Sequence, residues 1–393
     1  MRILFASHCP LDASGSGIYV RKVAERLLPE GHEVATLCPA GSATDSFSFP
    51  HEVVGTPGRP SRWNLPFAFP NFSGHRDSHL LYDELDASDI ETYLEVWTSA
   101  LTDVGREFKP DVLSVNHAFL IAYAASRMAT LPYVVVSHGS EFLRPRENAS
   151  FDEYRRESLR AAREIVAVTP GIATLICEAA GIDGERVHTV PPGYDPEVFR
   201  PSAVNRAAVL ESFGLSGSLP CVAYVGRVVA YKRVPDMLTA LATIPAPQRP
   251  QVLVVGDGPG LQQAVEAARQ VGLHEAVFAG HIADRYRLAE VFNAIDLLVL
   301  PSENDPYPMT AIEALACGTP VLTSDLCGVT DIVADVAGAV YHVGDTQAVA
   351  ALVQEALRDG WKAARGPNGP ARVAAKAWPV IAGRLLDVYR QAV

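Results

Sequence analysis

The chain has 393 residues, of which 48% are apolar and 20% charged, and its formal net charge is −12. This length is enough for two domains of ordinary size. The acidic balance argues against a protein that binds nucleic acid regardless of sequence, because such binding needs a basic face. No run of about 18 apolar residues occurs, so no membrane-spanning segment is predicted.

The cysteines indicate a reducing environment. There are six, and none forms a Cys-x-x-Cys pair: Cys9, Cys38, Cys177, Cys221, Cys317 and Cys327. Most lie among apolar or small residues, which favours reduced core cysteines in a cytoplasmic protein over disulfides or a zinc site. Residues 1–5 are expected to form a first strand and not a signal peptide.

In the first half of the chain, strand patterns alternate with helix patterns. Strands are predicted at 3–6, 34–37, 111–115, 133–137, 164–169 and 187–190, with helices at 17–28 and 88–108. Regular alternation of this kind predicts a parallel sheet covered by helices on both faces.

The same alternation restarts after a turn-rich stretch at 191–196, which fits a linker. Strands are predicted at 221–226, 251–256, 277–279, 296–300 and 321–324. Residues 365–372 are rich in Gly and Pro and are expected to form a loop, and 378–389 to form a last amphipathic helix. The sequence therefore predicts two similar α/β domains, 1–195 and 196–377.

Residues 56–80 interrupt the alternation of strand and helix patterns in the first domain. Four aromatic residues lie there among prolines: Trp63, Phe67, Phe69 and Phe72. His75, Arg76 and His79 follow them. A long aromatic loop in a compact domain is often functional or a lid. A packed surface loop is the equal alternative.

The stretch 301–321 joins a predicted strand to a short helix and another strand. Pro308 suits the first helical position and Gly318 the residue just past the helix end. After a parallel strand, such a helix N-terminus favours a phosphate. Asp305 and Glu313 would repel phosphate, so they are better suited to bind hydroxyl groups. Together these features indicate a nucleotide sugar; a solvated loop with a capping carboxylate is the alternative.

A second cluster follows the first strand of the second domain. Gly226 and Arg227 end this strand, Lys232 comes five residues later, and Pro235 suits the next helix start. Two cations at a strand-to-helix turn can bind a diphosphate and stabilise its charge as it leaves. The alternative is a solvated basic turn, since Arg233 is adjacent.

Glycine-rich turns and histidines mark further strand ends. Gly256 opens a tight turn that lacks the full dinucleotide spacing, and the loop at 14–17 would allow close approach of a ligand. His138 and His117 follow two predicted strands, where a cleft-side role competes with a structural one. No Asp-x-Asp pair occurs, so a diphosphate held by a metal is not expected. The sequence also lacks a Gly-x-Ser-x-Gly elbow, which argues against a serine hydrolase.

Taken together, these motifs resemble the GT-B glycosyltransferases of family GT4 over nearly the whole chain. The segments that carry the resemblance are the glycine loop 15–17 with 31–34, His138, the linker 192–195 with Phe199, 226–232, 255–259, 301–302 and 313–321. The last segment, Glu313-Ala314-Leu315-Ala316-Cys317-Gly318-Thr319-Pro320-Val321, is the specific one.

The resemblance implies two Rossmann-like domains with parallel sheets facing a deep interdomain cleft. The second domain would hold the nucleotide sugar and the first the acceptor, while the C-terminal helix at 378–393 would cross back to the first domain. It also implies transfer with retention of anomeric configuration, with no bound metal and no other cofactor.

The resemblance also implies roles for individual residues. The catalytic candidates are His138, Arg227, Lys232 and Asp305. The donor-binding candidates are Gly17, Gly226, Arg227, Lys232, Gly256, His281, Ile282, Asp305, Tyr307, Met309, Thr310 and Glu313. Among these, His281 and Ile282 would hold the base through backbone groups and Glu313 the ribose hydroxyls. The acceptor-binding candidates are Ser16, His117 and Glu141.

One segment departs from the family pattern. The family usually has Glu-Gly-Phe-Gly where this chain has Asp305-Pro306-Tyr307-Pro308. Asp305 keeps a carboxylate eight residues before Glu313, but its side chain is one methylene shorter. The two prolines remove N–H groups that could donate to the donor substrate, whereas Tyr307, Met309 and Thr310 can still donate.

The leading hypothesis is therefore a retaining hexosyltransferase that uses a UDP-sugar, with glucose or N-acetylglucosamine as the sugar and a small soluble acceptor, in bacterial secondary metabolism. The alternatives are a nucleotide-sugar epimerase, a phosphorylase, or an inactive nucleotide-binding subunit. Lys232→Ala is expected to abolish turnover and leave the fold intact. A homodimer is left open, and no nucleic-acid partner is expected.

Overall fold

The structure is a computed structural model that describes residues 1–11, 14–42, 47–72, 75, 77–128, 131–143, 150–334 and 336–393. These residues form two compact units. The first comprises 1–192 and 378–393, and the second comprises 193–377. The sequence places the boundary slightly later, after residue 195. Each unit is an α/β unit with a parallel sheet, which confirms the predicted fold class.

The described part of the first unit contains eight strands and the helices that connect them. The strands are β1 (Arg2–Ser7), β2 (Glu33–Pro39), β3 (His51–Gly55), β4 (Trp63–Asn64), β5 (Val112–Asn116), β6 (Tyr133–Ser137), β7 (Glu164–Ala167) and β8 (Val187–Thr189). The helices are α1 (Gly15–Leu27), α2 (Ala87–Phe108), α3 (Leu120–Ser126), α4 (Ser140–Leu143), α5 (Ser150–Ala161) and α6 (Pro170–Ala180).

These strands form one parallel sheet in the order β4-β3-β2-β1-β5-β6-β7-β8. Strand β1 lies inside the sheet and pairs with β2 and β5, with Ile3 opposite Val34 on one side and Val112 on the other. Residues 3–6 have no exposed surface. A strand covered on both faces needs a continuous apolar run, which is what the N-terminal segment provides.

The second unit is built in the same way. Its described strands are β9 (Cys221–Val225), β10 (Gln251–Val255), β11 (Val277–Gly280), β12 (Leu297–Leu300), β13 (Val321–Ser324) and β14 (Gly338–Tyr341). Its helices are α7 (Arg206–Glu211), α8 (Val234–Thr243), α9 (Leu261–Gln270), α10 (Arg285–Ala294), α11 (Met309–Ala316), α12 (Thr330–Val333), α13 (Thr346–Arg358), α14 (Trp361–Ala364) and α15 (Gly369–Val373). The sheet is parallel, in the order β11-β10-β9-β12-β13-β14.

The last helix, α16 (Trp378–Ala392), belongs to the first unit. It packs against α1, where the Trp378 ring lies edge-on to Tyr19 with the ring centroids 5.7 Å apart. The Tyr389 hydroxyl lies 2.9 Å from the Ser114 hydroxyl of β5. The apolar face of α16 is thus buried against this unit.

Two local predictions are wrong. Residues 365–372 are largely helical, with a 3₁₀ turn at Gly366–Asn368 followed by α15. Their glycines serve close packing, because a Cβ at Gly369 would lie 2.4 Å from the Leu315 carbonyl oxygen of α11. Pro308 is the N-cap of α11 and not its first helical residue.

The aromatic segment at 56–80 packs inward where the structure describes it. Trp63 and Phe69 are buried, and Trp63 donates to Asp103 of α2 over 3.1 Å. His75 is buried beside Phe69, whereas His79 is exposed. Arg76 lies outside the described residues. Packing therefore favours the structural interpretation for Trp63 and Phe69.

The six cysteines all lie in the described residues and none takes part in a disulfide. No helix in the described ranges combines the length and the apolar character that crossing a membrane requires.

Candidate active site

The second sheet has a topological switch point between β9 and β12. From β9 the chain continues outward to β10 and β11, and it then returns to β12 on the other side. In open α/β sheets, ligands bind outside the carboxyl ends of the two strands at such a point. The loops that follow β9 and β12 carry Arg227, Lys232 and Asp305, so the structure places these predicted residues at the switch point.

A buried ion pair joins these two loops. The Lys232 ammonium donates to the Asp305 carboxylate, and their side chains are 14% and 7% exposed. Burial by itself would lower the pKa of Lys232, but the Asp305 charge outweighs it and holds the pKa above the ordinary value. Asp305 is fixed through its backbone, because its carbonyl oxygen accepts from the Gly328 N–H over 2.9 Å. Lys232 is therefore charged and already paired.

The neighbouring Arg233 forms a second ionic contact between the same two loops. Its guanidinium binds Asp236 and Glu303, each over 2.7 Å. The Glu303 N–H donates to the Tyr231 carbonyl oxygen over 2.7 Å. Arg233 therefore fixes the loops, while the half-buried Arg227 lies at the end of β9, where the Tyr224 hydroxyl donates to its carbonyl oxygen over 2.8 Å.

The glycines of these turns allow backbone to approach backbone. Gly256 has a φ of 137°, and a Cβ there would lie 1.9 Å from the Gly226 carbonyl oxygen. Only glycine adopts this conformation readily. The Val228 N–H also donates to the Asp257 carbonyl oxygen over 2.7 Å. The glycine turn after β10 thus supports the phosphate-site candidates of the β9 loop.

Glu313 lies in α11 and is 1% exposed. Its carboxylate accepts from the Arg285 guanidinium, which also stacks on the Phe199 ring with its central carbon 4.7 Å from the ring centroid. Burial raises the pKa of Glu313, and the Arg285 charge opposes this shift. Arg285 is absent from the predicted set. Its only sequence signal is its position at the start of a helix just after the predicted base-binding residues.

The remaining donor candidates of the second unit lie at the same edge of its sheet. Tyr307, Met309 and Thr310 are half-buried at the start of α11. His281 is exposed, and Ile282 packs against the core of the unit. Their backbone-mediated roles toward a base or a sugar stay predictions.

The first sheet also has a switch point, between β1 and β5. Three histidines lie at the carboxyl ends of β1, β5 and β6 and contact one another in sequence. The ring centroids of His8 and His117 are 4.0 Å apart, and those of His117 and His138 are 4.8 Å apart. Phe72 and Tyr82 complete an aromatic cluster around them. His8 is absent from the predicted residues, although its place after the first strand is the signal that also selected His138.

The other predicted acceptor residues are placed differently. Glu141 has no exposed surface, and its carboxylate accepts from the Ala118 N–H over 3.1 Å. This burial argues against direct contact with an acceptor. Ser16 is half-buried beside Ser14, with their hydroxyl oxygens 3.2 Å apart.

The glycine loop before α1 is also shaped by packing. Ser14 is the N-cap of α1 and accepts from the Gly17 N–H over 2.9 Å. A Cβ at Gly17 would lie 2.1 Å from the Pro10 carbonyl oxygen. Glycine is therefore needed at 17 whether or not a ligand approaches, and its donor-binding role stays a prediction.

The histidine cluster gives an expected acid sensitivity. Burial lowers the pKa of His138 to about 4, and burial also lowers the pKa of His8. Between pH 6.5 and 4 the unfolded chain therefore binds more protons, so the free energy of unfolding should decrease on acidification, by up to about 1.4 kcal/mol per pH unit for each group. Urea unfolding from pH 8 to 4 should show a shallower decline for His138→Gln. His274→Gln, which changes an exposed side chain, should leave the slope unchanged; equal slopes in all three proteins would contradict the prediction.

Two parallel-sheet units, each with polar side chains at its switch point, have the architecture of the GT-B fold. The described residues contain no group of three or more His, Cys, Asp and Glu side chains placed to hold a metal ion. The family descriptions "Glycosyl transferases group 1" and "Glycosyl transferase 4-like domain" match residues 206–369 and 14–193. The chain therefore belongs to the GT4 family of glycosyltransferases.

Individual relatives agree with this assignment. The chain is 28% identical to the D-inositol 3-phosphate glycosyltransferase of Nocardiopsis dassonvillei in an alignment of 408 positions that covers 96% of this chain and 90% of that protein. It is 34% identical to the enzyme of the same name from Xylanimonas cellulosilytica over 243 residues, 59% of this chain and 58% of the relative. Among solved structures, sucrose-phosphate synthase from Thermosynechococcus elongatus shares the fold, with a TM-score of 0.77 and 24% identity over 100% of this chain and 98% of that one.

Proposed function

We propose that this glycosyltransferase moves a hexose from a UDP-sugar to a small polyhydroxylated acceptor, with retention of anomeric configuration and without a bound metal. The second unit binds the donor and the first unit binds the acceptor. The observation that carries the proposal is the buried Lys232–Asp305 pair at the switch point of the second sheet, beside Arg227.

The charges at this point fit a nucleotide sugar. Lys232 and Asp305 are neutral as a pair. Arg227 adds a guanidinium in the same loop, and the N-terminal end of α11 adds a partial positive charge that favours a diphosphate. Lys232 adds a donor that turns toward the leaving diphosphate as negative charge builds there. Asp305 accepts from a hydroxyl of the transferred sugar, and Glu313 accepts from the ribose.

Retention is proposed because the chain belongs to GT4, and the low pKa of His138 is compatible with it. A general base works best when its pKa lies near the working pH. His138, with a pKa of about 4, is a weak base at neutral pH. The leaving diphosphate oxygen then takes the proton of the acceptor hydroxyl. Attack and departure occur on the same face of the sugar, which preserves its anomeric configuration.

D-Inositol 3-phosphate is the first acceptor to test, since the relatives that match most of the chain carry that name. Inositol without phosphate separates recognition of the polyol from recognition of the anion. Glucose and N-acetylglucosamine as UDP-sugars are the first donors. UDP, GDP and ADP in a thermal-shift series identify the base, because a ligand that binds only the folded state raises Tm.

The test is a product analysis with the purified chain. UDP-sugar and acceptor should yield UDP and a glycoside whose anomeric proton shows the configuration of the donor, with EDTA present throughout. Inverted product would contradict the mechanism. A new nucleotide-sugar isomer without acceptor would identify an epimerase, strict dependence on inorganic phosphate a phosphorylase, and binding without any turnover an inactive subunit.

A further inference from the structure

Asn116 connects two strand ends in the first unit. It is the last residue of β5, has no exposed surface, and pairs with Ser7 of β1 and Val136 of β6. Its amide nitrogen donates to the Ala6 carbonyl oxygen over 3.3 Å. Its amide oxygen lies 3.0 Å from Nε2 of His138. The Ala6 contact fixes which way the amide points, because a carbonyl oxygen can only accept.

This arrangement determines where the imidazole carries its proton. An amide oxygen accepts and cannot donate, so Nε2 of His138 must carry the hydrogen. Burial keeps the ring neutral at pH 7, since it lowers the pKa of His138 to about 4. A neutral ring protonated at Nε2 presents a lone pair at Nδ1.

The ring is also held in orientation by its neighbours. Tyr19 of α1 lies edge-on to His138, with the ring centroids 5.0 Å apart and an angle of 88°. His117 covers another side at 4.8 Å. The charged and titratable groups around the ring are His8, His117, Tyr19 and Glu141. The Glu141 charge opposes the effect of burial on the pKa of His138.

We infer that Asn116 is a positioning residue that makes His138 a hydrogen-bond acceptor through Nδ1, so that this point of the site binds a hydroxyl group and not a phosphate oxygen. The identity of the hydroxyl, on the transferred sugar or the acceptor, rests on the proposed function. The tautomer does not, because it follows from the contacts of Asn116 alone.

The tautomer is tested directly by long-range ¹H–¹⁵N correlation spectra of the full chain with ¹⁵N-labelled histidine, and His138→Gln assigns the signal. The wild type should show a neutral ring protonated at Nε2 from pH 8 down to 5.5. In Asn116→Ala the two tautomers should mix. His188, whose Nε2 lies 2.7 Å from a Glu164 oxygen, is the internal control and should keep its spectrum. A wild-type ring protonated at Nδ1, or an unchanged tautomer in Asn116→Ala, would overturn the inference.

Asn116→Asp adds a kinetic readout that a merely structural role would not move. A carboxylate at this position should raise the pKa of His138 and place a proton on Nδ1 as the pH falls. We expect kcat/KM of this variant to drop about tenfold more than that of the wild type between pH 8 and 6. Parallel pH profiles would contradict the inference. The expected tautomer in a chain that transfers no sugar would instead contradict only the proposed function.

Discussion

Replacing Lys232 by methionine is expected to lower turnover by about 10²–10³, the usual cost of removing one donor that stabilises transition-state charge. The structure adds a second effect, because Lys232 neutralises the buried Asp305 carboxylate. Removing one partner of a buried ion pair typically costs about 3–5 kcal/mol of stability. The expectation from sequence that Lys232→Ala leaves the fold intact must therefore be revised.

The double variant Lys232→Met/Asp305→Asn separates the two effects. It removes both charges, so most of the lost stability should return in urea unfolding, whereas single-turnover transfer should stay low. Lys362→Met is the matched control from the same unit. Lys362 is a half-buried lysine, and its ammonium donates to the Phe292 carbonyl oxygen and the Thr319 hydroxyl. Its loss should affect stability but not turnover per folded molecule. Full activity in the double variant would refute the role given to Lys232.

Replacing Arg285 by methionine should raise the KM for the nucleotide sugar about tenfold, equivalent to about 1.4 kcal/mol of binding free energy. Glu313 would lose a cation that opposes the effect of burial on its pKa. A carboxyl group that becomes protonated is a poorer acceptor for two ribose hydroxyls. The rise in KM should therefore be larger at pH 6 than at pH 8.

The pH dependence of folding stability should have the opposite sign to that of donor binding: the native state should be less stable at higher pH. The folded-state pKa of Glu313 is raised, so between its unfolded value of about 4.5 and the folded value the native state binds more protons. The free energy of unfolding should fall as the pH rises through this window, and Arg285→Met should extend the window upward at a cost of about 1–3 kcal/mol.

Three further variants make this prediction decisive. Glu313→Gln should remove the pH dependence, and Arg285→Lys should restore part of the donor affinity. Glu290→Gln is the control on the same helix, because Glu290 pairs with Arg287 and its side chain is 48% exposed. The stability of this variant should change by less than about 1 kcal/mol. Equal donor KM values for the wild type and Arg285→Met would show that Arg285 does not support Glu313.

Local patterns in the chain predicted most of the strands. β6 and β13 occupy the residues expected from their apolar runs, and β1 differs by one residue at each end. Buried parallel strands are short, continuous apolar segments between turn residues, so their position is local information. Strands β3, β4 and β14 were not predicted. They are short and partly exposed, so their apolar pattern is weaker.

The candidate site was predicted only in part. Residues after strand ends, such as Lys232, Asp305 and His138, could be predicted because parallel strands place their carboxyl ends at one edge of the sheet. The partners of these residues could not be predicted. Arg285 and Glu313 are 28 residues apart, and Asn116 and His138 are 22 apart, and no spacing rule relates such positions.

By itself, the sequence determined the two α/β units, the strand ends that carry polar groups and the membership of a glycosyltransferase family. These follow from local hydrophobic periodicity, turn residues and short motifs. Tertiary structure alone decided which charges are paired, that Glu141 is buried, and which ring nitrogen of His138 carries the proton. Those properties depend on burial and on contacts between residues far apart in the chain, which local sequence patterns do not encode.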